Sequence, residues 1–99
     1  MKMFWIFCNE SVAEDLMDVL NKNGITGYFV WKNVLFRDNE SGKTHWDDAI
    51  YPGKDWAFMV FCDDEDVLVL KEKLEHLEEE PYIKQAGIKA FIAEAKKVM

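Results

Sequence analysis

Ninety-nine residues, 49% of them apolar and 14% aromatic, suffice for one hydrophobic core and are too apolar for a disordered chain. The formal charge of −7 is concentrated, because Asp63 to Glu80 holds nine of the 19 acids and two of the 12 bases, leaving the remainder balanced at ten against ten. This describes one solvated acidic helix face and offers nucleic acid no basic patch. The apolar run from Met1 to Cys8 is too short for a signal peptide and is stopped by Asn9-Glu10. No stretch approaches the roughly 20 apolar residues of a membrane span. Two cysteines without a secretion signal imply reduced thiols and a cytoplasmic protein.

In chain order, Lys2 to Cys8 is rich in aromatic and branched residues and reads as a first strand. Ser11-Val-Ala-Glu14 fits a capping box, with Ser11 accepting from an early amide and Glu14 reaching back. Val12, Leu16, Val19 and Leu20 then share one helical face with Met17 at its edge, and Gly24 suits a left-handed C-terminal cap. Apolar runs from Gly27 to Phe36 and from Trp56 to Cys62 predict a second and third strand around a long polar interruption, Arg37 to Asp55. Asp63 or Asp64 caps a second helix whose stripe is Val67, Leu70, Leu74 and Leu77, and Pro81 marks its end. After a short connector, Gly87 to Glu94 reads as the fourth strand.

The order β-α-β-β-α-β predicts a single α+β domain over residues 1–99, a ferredoxin-like sandwich with two helices on one face of a four-stranded antiparallel-type sheet. Phe4-Trp-Ile-Phe-Cys-Asn-Glu10 echoes Phe58-Met-Val-Phe-Cys-Asp-Asp64, each a strand emptying into a capped helix. Both sheet faces are apolar. Met3, Trp5 and Phe7 oppose Phe4 and Ile6. Ala57, Met59 and Phe61 oppose Trp56, Phe58 and Val60, and Phe29, Trp31 and Leu35 oppose Tyr28, Val30, Val34 and Phe36. Helices on one side would leave the other as an unusually large apolar patch, so an obligate oligomer with its open sheet faces turned together is expected.

From Asn23-Gly-Ile-Thr-Gly27 onward the chain resembles the PII signalling proteins, with Phe36 and Lys54 as further matching positions and the element order agreeing over most of its length. The resemblance implies a non-enzymatic homotrimer that binds a small effector, an adenine nucleotide among the candidates, in the clefts between subunits. The long loop would then dock onto a target protein such as a transporter or an enzyme. On that basis Arg37, Asn39, Lys54 and Lys89 are the expected ligand-binding residues, and Lys43, His45, Trp46 and Tyr51 the partner-binding loop residues. The chain departs from the family where the chemistry sits. Its loop is shorter, Leu35-Phe-Arg-Asp-Asn39 replaces the family's glycine-rich stretch, and Glu78-Glu-Glu-Pro-Tyr-Ile-Lys-Gln-Ala-Gly87 replaces the phosphate loop. Lys96 and Lys97 are the nearest substitutes for the C-terminal arginines, and an ordinary ATP site is not expected.

Other readings compete. A passive polar linker rivals the binding loop, although Trp46 and Tyr51 are costly residues to leave idle there. His45 with Asp47 and Asp48 could supply metal ligands in the manner of a CutA-like metal-tolerance protein, though without a recognised spacing. Cys8 and Cys62, ending strands taken as parallel neighbours, would lie at the same end of the sheet, either as buried small hydrophobes or as a redox or metal pair. His76 reads as a solvated residue among charges. Lys54-Asp-Trp-Ala-Phe-Met-Val-Phe61 is similar to an RNA-binding RNP1 pattern, with Trp56 and Phe58 on one face, but Asp55 stands where glycine is expected and basic clusters are missing. An acylphosphatase-like enzyme fails locally, because Cys8-Asn-Glu-Ser11 lacks the glycines and arginine of that phosphate cradle and no nucleophile–base pair is evident.

Overall fold

In the computed structural model, residues 1–37, 44–45 and 54–99 are described, with only the backbone of 36–37 and 44–45. Strand β1, Lys2–Asn9, runs directly into helix α1, Glu10–Lys22. The cap is Asn9, whose side chain accepts from the Ser11 amide at 3.0 Å, so a single side-chain cap two residues upstream replaces the capping box expected at Ser11 and Glu14. The strand simply uses its own last residue as the cap. Helix α1 buries Val12, Ala13, Leu16 and Leu20 against the sheet, and Val19 stays half-buried. It closes as expected at Gly24, whose φ of 75° lets the Gly24 amide reach Asn21 O at 3.1 Å and the Ile25 amide reach Leu20 O at 2.9 Å. Ile25 packs onto the core beyond that turn.

Strand β2, Tyr28–Val34, ends two residues earlier than its apolar run suggests. After a break at Leu35, β3 (Phe36–Arg37) pairs with β4 (Thr44–His45) as a separate two-stranded ribbon. Strand β5, Asp55–Cys62, returns through the sheet, and Asp63 caps helix α2, Asp64–Leu77, by accepting from the Asp66 amide at 2.9 Å. Leu70 and Leu74 are buried, with Val67 and Leu77 half-buried beside them. Pro81 ends no helix. It opens a short one, α3 (Pro81–Ala86), where its missing amide costs nothing, and Ile83 anchors that turn with no exposure at all. Strand β6, Ile88–Glu94, completes the sheet.

The strand order is β2-β5-β1-β6 with every neighbouring pair antiparallel, the ferredoxin-like α+β sandwich with its helices on one face. Because β1 and β5 are antiparallel, Lys2 faces Cys62 and Cys8 faces Trp56. The two cysteines therefore lie at opposite ends of the sheet, which removes the redox or shared-metal pairing. The core on the helix side is built from Phe4, Ile6, Cys8, Phe58, Val60 and Cys62 of the central strands against Leu16, Leu20, Leu70, Leu74 and Ile83. Trp56 and Phe58 belong to this inward face, so the aromatics of the RNP1-like stretch point into the protein rather than toward a nucleic acid.

Candidate functional site at the loop root

One end of the sheet gathers the elements that carry chemistry. Asn9 and Asp55 stand opposite each other where β1 ends and β5 begins, and Val34 faces Asp55 from the other side. The Glu10 amide donates to Lys54 O at 2.8 Å, tying the start of α1 to the chain returning from the loop. The turn from α3 into β6 comes to the same end, because Ile88 pairs with Cys8 and Lys89 with Phe7. Between these elements lies a cavity of about 50 Å³ lined by Asn9, Asp55, Ala86, Gly87 and Lys89 over an apolar floor of Phe7 and Cys8.

The turn is locally over-determined. Gly87 takes φ 81°, a conformation that glycine supplies at little cost, and its amide donates to Ile83 O at 2.7 Å. The Ile88 amide donates to Glu78 Oε1 at 3.1 Å, and Tyr82 donates its hydroxyl to Asp15 Oδ2 at 2.9 Å, fastening α3 to α1. That bond pushes the Tyr82 phenol above its usual pKa. Two successive backbone amides that could cradle a phosphate are thus already committed inside the protein. The run of glutamates does not reach the cavity. Glu78 caps β6, and Glu79 sits 3.1 Å from His76 Nδ1, a largely exposed pair that agrees with the solvated reading of this histidine.

The acid at the centre is Asp55, only 6% exposed, on the wall shared with Cys8. Burial, with the Asp55 charge adding to it, pushes the Cys8 thiol up to about 12, and burial also raises Cys62. Both sulfurs are protonated, inert packing groups at neutral pH.

Of the expected ligand-binding residues, Lys54 and Lys89 are brought to this one end of the sheet, and Arg37 places its backbone in the ribbon that leaves it. Asn39 lies outside the described residues, as do Lys43, Trp46 and Tyr51. The backbone of His45 pairs with Phe36. Asp47 and Asp48 are likewise outside, and among the described residues no group of three His, Cys, Asp or Glu side chains could hold a metal ion. Sequence reasoning passed over Asn9, Asp55 and Gly87. The signals were faint: an Asn just before an apolar helical period, and an acid just ahead of an apolar strand.

The sheet face away from the helices carries a second feature. Its aromatic rings form a continuous row across all four strands: Phe61 to Phe29 at 6.2 Å, Phe29 to Trp31 at 6.3 Å, Trp31 to Trp5 at 5.5 Å, Trp5 to Phe7 at 6.0 Å and Phe7 to Phe91 at 6.0 Å. Phe29, Trp31, Phe61 and Phe91 are 57%, 44%, 44% and 58% exposed. Stacking offsets only part of the cost of leaving such rings in water.

Neither a protein-family model nor a curated protein matches the sequence. Solved structures do match the chain. CPII, a nitrogen regulatory PII-like protein from Thiomonas intermedia K12, bound to ADP, AMP and bicarbonate, aligns with a TM-score of 0.71 at 16% identity, covering 93% of this chain and 82% of that one. The fold is PII-like. The apo form of the same CPII gives a TM-score of 0.66 at 18% identity, covering 93% and 85%. A putative PII-like signaling protein from Thermus thermophilus gives 0.62 at 15%, covering 93% and 83%. Among the described residues, no helix is long and apolar enough to cross a membrane.

Proposed function

We propose that this chain is a PII-like regulator rather than an enzyme: a cytoplasmic homotrimer that takes a small effector at subunit clefts. The segment 37–55 then reports to a target protein such as a transporter or an enzyme. The observation that carries this reading is the convergence of the loop root, Asn9–Asp55 and the α3–β6 turn around one cavity. A loop anchored on both sides to a ligand cleft changes its preferred conformation when the cleft fills, because the ligand contacts its roots. The uncovered aromatic row supports self-association, since burying rings of this size against a copy removes several hundred Å2 of apolar area from water.

Adenine nucleotides are the favoured effector class, in keeping with the ADP and AMP held by the structurally similar CPII. Arg37, Asn39, Lys54 and Lys89 would supply the charged and polar contacts. With the Gly87 and Ile88 amides already bonded, side chains alone would hold the phosphates. A short phosphate chain therefore suits the site better than a triphosphate. Native mass spectrometry combined with calorimetric titration of AMP, ADP and ATP tests the whole reading. A trimer that binds AMP or ADP more tightly than ATP is expected. A monomeric mass, or no heat with any of the three at millimolar concentration, overturns it.

A further inference from the structure

Strand β2 does not run evenly along β5. Trp31 faces Ala57 and Val34 faces Asp55, so Lys32 and Asn33 together stand against Trp56 alone. One extra residue in a strand of period two moves everything beyond it to the opposite face. Counted from Tyr28 and Val30, plain alternation sends Val34 to the helix side. It instead stands across from Asp55, on the face that also carries Ala57 and Phe61. Asn33 absorbs the extra length at φ 61°, the left-handed region that Asn tolerates and a β-branched residue does not. On the helix side the Lys32 ammonium lies over the Trp56 ring, 4.9 Å from its centre, holding the other half of the bulge.

We propose that this Lys32–Asn33 bulge is the positioning element of the loop root, setting the face on which the chain leaves the sheet beside Asp55 and the cavity. Bulges next to sites commonly re-aim the side chains that follow them. Where it concerns an effector, this inference rests on the function proposed above.

The mechanism makes an unusual demand. Deleting Asn33 outright leaves a regular strand that still delivers Val34 opposite Asp55, so the deletion is tolerated. Keeping the length but making Asn33→Val draws the strand back into alternation, sets position 33 opposite Asp55 and turns Val34 to the helix side. The test places single cysteines at Val34 or Leu35 in each background and maps their alkylation rates by peptide mass spectrometry, where the buried Cys8 and Cys62 are resolved separately. In the parent and in the deletion, Leu35→Cys, at a position 61% exposed, is expected to react faster than the half-buried Val34→Cys. In the Asn33→Val background that order inverts, and ADP affinity falls by about tenfold, while the deletion stays within a few-fold of the parent. An unchanged labelling order in Asn33→Val, or a deletion that behaves worse than Asn33→Val, overturns the proposal. Should Asn33→Val fail to fold, Asn33→Ala carries the same comparison. If labelling behaves as expected but no protein binds ADP, the role of the bulge stands and the effector reading falls.

Discussion

The two faces of this one sheet are made of the same kinds of residue and have opposite fates. Toward the helices, Phe4, Ile6, Phe58 and Val60 are at most 2% exposed. On the other side, Phe29, Trp31, Phe61 and Phe91 are roughly half exposed despite stacking on one another. Composition alone does not separate them, because strand residues alternate without regard to which face a helix will cover. The difference teaches that the helices among the described residues cover one face only. The first face stores folding free energy. The second, on our reading, stores association free energy.

The largest effect should come from testing each face with the same substitution in one strand. Phe58→Ala opens a cavity in the helix-side core and should cost about 3–5 kcal/mol, a large share of a small domain's stability. Phe61→Ala, three residues on and on the open face, should cost the dilute monomer far less and show its effect when protein concentration rises. Urea unfolding at two concentrations distinguishes them. Equal losses at both would mean that the open face is already covered within the chain.

Smaller in energy but sharper in meaning is a charge at the centre of the aromatic row. Trp31 touches both Trp5 and Phe29, so Trp31→Glu places a carboxylate in the middle of any interface built on that face. The variant is expected to fold, by its far-ultraviolet circular dichroism, and to run as a monomer in native mass spectrometry. A trimer retained by Trp31→Glu would move the interface elsewhere and leave the row without a purpose.

How far the sequence could be read follows the same division. The helix-side core was legible because both periodicities, two in strands and 3.6 in helices, are written in apolar residues such as Phe58, Val60, Leu70 and Leu74. The Gly24 cap was legible because its conformation demands glycine. The expectation that β1 and β5 run parallel is wrong, and the likeness of their exits, Cys-Asn-Glu and Cys-Asp-Asp, does not decide the matter, because it shows that both strands end in caps but not which way they point. Helix α3 was hidden because Pro81 reads equally as a stop and as a first-turn residue. The site was the least legible part. Asp55 is defined by three partners far apart in sequence, Asn9, Val34 and the α3–β6 turn, and no local pattern announces such a meeting.

The rim of the covered face offers the finest test. Lys2 bonds to Glu94 across the β1–β6 pair and lies 3.8 Å from Asp64 at the start of α2. This cluster closes the far end of the helix-side core. The hydrogen bond to Lys2 holds the Glu94 carboxyl below its usual pKa, and the same bond raises Lys2 above its own. A depressed acid contributes stability above its unfolded pKa and loses it as pH falls through the folded value. A raised base contributes below its unfolded pKa and loses it as pH rises through the folded one. The pair therefore acts across the whole neutral range and fails at both extremes. Glu94→Gln should lower the melting temperature only slightly at pH 7, because both groups face solvent and Asp64 remains within reach of Lys2. The gap between variant and parent should shrink with added salt and close in acid, once the pH has fallen through the parent's lowered carboxyl pKa and that group is protonated as well. A gap that persisted unchanged into acid would mean that Glu94 acts through packing at the sheet edge rather than through its charge.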